Sequence, residues 1–136
     1  MSEKDFNQTI FNRVSSHFKL ALDLEEIYRD KPKSIRLDYK VLLHFDNYFE
    51  WPSLNNRVYG DGTCQGLSSH IAILSSGVVV PCCLDGDGVM ELGNLKNSSL
   101  DNILSSKRAN SIRDGFKDKI AVEDLCKRCS YKDRFN

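Results

Sequence analysis

The chain has 136 residues, about one domain and part of another, and 40% of them are apolar, enough for a modest core. Lys plus Arg and Asp plus Glu number 19 each, so the net charge is zero, which excludes the broad basic footprint of nucleic-acid binding. No stretch approaches about 18 apolar residues, so no membrane span is expected.

The first ten residues, MSEKDFNQTI, lack the basic-then-apolar pattern of a secretory leader, so a cytoplasmic protein is expected. Residues from about Gln8 to Arg29 read as one helix. Phe11, Val14, Phe18, Ala21 and Leu22 recur at three- and four-residue steps, and Lys31-Pro32 ends the run. From Ser34 to Phe45 the period switches to two, with Ile35, Leu37, Tyr39, Val41, Leu43 and Phe45 on one face, which predicts a long strand. Asn47–Gly62 reads as an irregular connection, in which Trp51 is expected to pack between two units.

His70–Leu74 and Val78–Cys82 are short β-rich runs around Ser75-Ser76-Gly77, a hairpin signal, and Val89–Leu92 is a candidate third strand. Ser98 is the expected N-cap of a short helix through Leu100, Ile103 and Leu104, with Asp101 three positions on. Arg108–Phe116 reads as a second helix. The fold class is α+β: residues 1–59 form a helix–strand segment with a linker, and residues 60–136 a small cysteine-bearing unit with C-terminal helices.

Five cysteines, an odd number, fit a disulfide framework poorly in a reducing compartment, and metal binding is the leading account. In Cys126-Lys-Arg-Cys129 two intervening residues let both thiolates converge on one centre. Cys64 and one of Cys82 and Cys83 are the candidates for the remaining ligands. Neighbours on a strand point to opposite faces, so one of that pair should face the metal and the other the core; Cys82 is preferred, with Cys83 as its alternate. His70 is a weaker candidate ligand, better explained by packing or a hydrogen bond. Asp85, Asp87 and Glu91 lack the spacing of a calcium loop and are explained by turn chemistry.

These residues resemble the SPASM domain, the auxiliary-cluster module that follows the barrel of radical SAM enzymes. The family pattern of cysteine, nine to fifteen residues, glycine, four residues and cysteine is met by Cys64, Gly77 and Cys82. Val79-Val80-Pro81-Cys82-Cys83-Leu84-Asp85, Leu92-Gly93-Asn94 and Leu125-Cys126-Lys127-Arg128-Cys129 continue the likeness. The further cysteines of fuller members are missing, with Phe135 at the first such position, so the resemblance implies one auxiliary [4Fe–4S] cluster on Cys64, Cys82, Cys126 and Cys129. No Cys-x-x-x-Cys-x-x-Cys occurs, so no S-adenosylmethionine site is expected in this chain and it should catalyse nothing alone.

What the resemblance implies is electron transfer, or positioning of a peptide or small-molecule substrate. The partner would be a radical SAM barrel, in the same protein or a separate one, whose last helix and strand residues 1–59 resemble. A structural zinc module is the alternative reading of the same four thiols. A cluster with four thiolate ligands is a dianion, and Lys127, Arg128, Lys132 and Arg134 are the candidate compensating charges unless they form an exposed tail. From Lys107 to Arg134 there are nine basic and five acidic residues, a local +4, whose ordinary reading is a solvated face.

Overall fold

The computed structural model describes residues 3–135. The chain divides into two compact units, residues 1–48 and 49–136. In the first, the expected single helix is two: α1, Glu3–Phe18, and α2, Leu24–Asp30. Lys19 takes a left-handed backbone (φ 54°) that stops α1. Asp23 then caps α2, its carboxylate accepting from the backbone N–H groups of Glu25 and Glu26. Lys31, also left-handed, closes α2 just before Pro32.

The long strand expected over residues 34–45 is a hairpin, β1 Ser34–Asp38 and β2 Val41–His44, antiparallel with Ile35 opposite Leu43. Its turn at Tyr39-Lys40 carries no glycine, asparagine or proline to betray it, and the alternation runs on through the turn. Leu24 and Leu37 are buried in this unit, and Phe11 stacks on Phe45.

The second unit holds a three-stranded antiparallel sheet ordered β3 (Ala72–Ile73), β4 (Val78–Val80) and β5 (Gly93–Asn94). The β3–β4 connection is the hairpin expected around Gly77. The Gly77 N–H donates to Leu74 C=O, the Leu74 N–H to Val78 C=O, and Gly77 has φ +88°. The third strand falls at Gly93–Asn94 rather than Val89–Leu92, because residues 85–90 are drawn into turns by the Asp85 side chain.

Helices α3 (Leu100–Leu104) and α4 (Lys107–Lys117) follow, capped by Ser99 and Ser106. The α3 cap is Ser99 instead of Ser98, since the Ser99 hydroxyl accepts from the Asn102 N–H. Sequence reading missed α5 (Asp124–Lys127) and the 3₁₀ segment Ser130–Phe135. Leu67, Ala109, Ile112, Phe116 and Ala121 form the core, and Cys64 and Cys126 pack against it.

Residues 49–63 are irregular, as expected, yet they belong to this unit. Tyr59 and Gly60 donate backbone N–H groups to Lys127 C=O, Glu50 N–H donates to the Ser130 hydroxyl, and the Arg128 guanidinium donates to Asn56 C=O. Asp61 accepts from the Ala121 N–H, and the Thr63 hydroxyl donates to Phe116 C=O. Backbone that lacks ladder partners satisfies its polar groups on the C-terminal segments. Trp51 is 59% exposed, its ring 6.0 Å from Phe49. No helix among the described residues is long and apolar enough to cross a membrane.

Candidate metal centre

Three separated segments converge on one cavity of ≈ 220 Å³. Cys64 arrives first, just after the Thr63 anchor. The loop behind it folds back so that the Leu67 N–H reaches both His70 C=O and Pro81 C=O. At Gly66 a Cβ would stand 3.3 Å from the Pro81 carbonyl oxygen, so this close approach favours glycine and draws Cys64 toward the end of β4.

Cys82 and Cys83 follow Pro81, beyond β4, in a turn closed by the Asp85 N–H donating to Cys82 C=O. Strand alternation does not apply there, so the expected division of one thiol to the metal and one to the core fails. Both cysteines line the cavity, Cys82 half-buried and Cys83 exposed. Cys126 lies on α5, and Cys129 follows where the Cys129 N–H meets Cys126 C=O. All five cysteines are free thiols.

The rest of the wall is largely apolar: Pro52, Leu84, Met90, Phe116 and Leu125. The Met90 thioether lies 3.5 Å from the Cys126 sulfur. Met90 is held there by Asp85, whose buried carboxylate accepts from the Val89 N–H at 2.8 Å and the Met90 N–H at 2.7 Å. That pair of bonds is the turn chemistry expected of Asp85. His70 also lines the cavity; it is exposed, with Nδ1 2.9 Å from the Ser69 hydroxyl.

The electrostatics tie the four thiols together. Burial pushes the Cys82 thiol up to about 11; backbone N–H groups of Leu84 and Asp85 oppose the rise, and Cys64 and Cys129 add to it. Cys126 is pushed up by burial first and then by Cys82, Cys64 and Cys129. Cys129 is pushed up by burial and by Cys64, against the Tyr131 and Lys132 backbone N–H groups and the Lys132 charge. Cys82, Cys126 and Cys129 thus each lie within the field of Cys64, and N–H donors already point at two of the sulfurs.

Of the basic residues flanking the pair, Lys132 alone lines the cavity, 1% exposed. Arg128 is directed to Asp124 and Asn56, and Arg134 lies over the Tyr131 ring at 3.9 Å. The sequence does not reveal Met90 as a wall residue, since it falls in the run read as a third strand, whereas Lys132 is one of the four cations that the sequence offers as compensating charges.

These donors fit an iron–sulfur centre. Thiolates are the ligands such clusters use, and N–H groups aimed at sulfur are how proteins hold them. The space exceeds one water, which needs roughly 10–15 Å³. Among the described residues no three His, Cys, Asp or Glu side chains converge tightly enough for a single ion; the thiols stand around the cavity instead.

Comparison with curated proteins and with solved structures returns no match. Residues 64–130 match the family model of SPASM, an iron–sulfur cluster-binding domain, and this stretch contains all four expected ligands. The chain therefore carries, in residues 64–130, an iron–sulfur cluster-binding domain of the SPASM family.

Proposed function

We propose that Cys64, Cys82, Cys126 and Cys129 hold one [4Fe–4S] cluster, and that the chain serves as the auxiliary-cluster part of a cytoplasmic radical SAM enzyme. The observation that carries this reading is the convergence of four thiols from three distant segments on one largely apolar cavity. Bound there, the cluster supplies one-electron chemistry, for transfer to or from substrate or for holding substrate near a barrel.

The chain's own part is to fix the thiols, exclude water with Pro52, Leu84, Met90, Phe116 and Leu125, and direct N–H groups at the Cys82 and Cys129 sulfurs. Residues 1–48 take the place of the last portion of a barrel, and residues 49–136 form the cluster domain. The barrel is the partner, in the same protein or a separate one, and a peptide or small molecule is its substrate.

The test is anaerobic reconstitution of the chain with iron and sulfide, followed by metal and sulfide analysis and electron paramagnetic resonance of the reduced product. About four iron and four sulfide per chain are expected, as the cluster type requires. A colourless product, or zinc alone after strictly anaerobic preparation, overturns the reading.

A further inference from the structure

A lysine side chain 1% exposed is costly to bury unless its charge is met within the protein. Lys132 is held by construction: its Nζ donates to Cys129 C=O at 2.9 Å and sits 5.8 Å from the centre of the Tyr59 ring. The Tyr59 hydroxyl donates to the Glu50 carboxylate, and Arg57 lies 4.6 Å from the same ring. The ring that receives Lys132 is thereby fixed in place.

We propose that Lys132 is the built-in counter-charge of the metal centre, a positioning residue that sets the reduction potential of the cluster held by Cys64, Cys82, Cys126 and Cys129. This rests on the assignment of the four ligands above. A cation beside a dianionic centre favours the form with one more electron, so its charge raises the potential. The neighbouring Arg128 and Arg134 do not line the cavity, whereas Lys132 does.

The experiment compares the full chain with Lys132→Met and Lys132→Arg, each reconstituted anaerobically and titrated electrochemically while its visible absorption is followed. Lys132→Met is expected to shift the midpoint to more negative potential, and Lys132→Arg to stay near the parent value. A midpoint unchanged in Lys132→Met, or moved equally in both variants, overturns the proposal. Should Lys132→Met take up no cluster, uptake by Lys132→Arg supports the role of charge, and failure of both variants overturns it. Failure of the parent chain to take up a cluster removes the ligand assignment itself, a result read before any variant is made.

Discussion

Cys82 and Cys83 are adjacent in sequence but differ in surroundings, the first half-buried with backbone N–H groups at its sulfur and the second exposed. We expect Cys82→Ser to abolish cluster uptake and Cys83→Ser to leave it near the parent level, measured as iron and sulfide per chain. Equal losses would show that the two share the ligand role. The spacing made the cysteine set legible, because Cys-x-x-Cys and the interval from Cys64 through Gly77 to Cys82 are local patterns. The fate of Cys83 was not legible, since it depends on β4 ending at Val80. Asp85 was readable as a turn former but not as the residue that holds Met90 against Cys126. Asp85→Ala strips two backbone N–H groups of their acceptor, the Val89 N–H part-buried and able to turn to water, the Met90 N–H buried, and stranding the buried one costs about 1–3 kcal/mol. Chemical denaturation of the variant should show a loss in that range, and an unchanged midpoint would refute this account.

Among the elements, the strongly signalled ones are found nearly where expected: the hairpin at Gly77, α3 and α4. The misread ones are those in which tertiary context or an unmarked turn overrides pattern. Apolar spacing continues across Lys19, so the break between α1 and α2 leaves little trace in the sequence. The Tyr39-Lys40 turn leaves the two-residue alternation intact. The segment after α4 depends on a close approach that only a small residue permits. A Cβ at Gly115 would lie 2.6 Å from a Val122 methyl and 2.8 Å from the Ile120 carbonyl oxygen. The second of these is backbone, which cannot swing aside. Gly115→Ala should therefore destabilise the unit by about 1–3 kcal/mol despite alanine's better helix propensity, as overpacking does. Thermal unfolding would check it, and a variant of raised midpoint would contradict the packing described. Alongside this contact, the Arg108–Glu123 ion pair, with N–O distances of 2.7 and 2.8 Å, ties α4 to the residue before α5.

For the whole molecule, the metal centre joins segments that few regular elements connect, so coordination should supply much of the second unit's cohesion. Chelation is expected to raise hydrogen exchange over residues 64–70, 82–90 and 124–135, and unchanged protection would argue that the apolar core suffices. Acidity bears on the same unit. The Cys82 thiol is held at about 11 against an ordinary 9.0, with Cys126 and Cys129 shifted the same way. The metal-free fold thus binds these protons more tightly than the unfolded chain. That contribution to stability is complete below pH 9 and is lost as pH rises through 11. Thiol labelling of metal-free protein should accelerate across this window more steeply than ionisation of a free thiol explains. Loading displaces the same protons, so assembly should be favoured from about pH 7 toward 9. Finally, the proposed ligand pair on and after α5 follows Cys64 and Cys82 at a distance along the chain. During translation, Cys64 and Cys82 leave the ribosome well ahead of it, and the nascent protein presents only half a socket. On the proposed ligand set, cofactor delivery must wait until synthesis has passed Cys129, and any pause before that point leaves the thiols of Cys64, Cys82 and Cys83 open to oxidation.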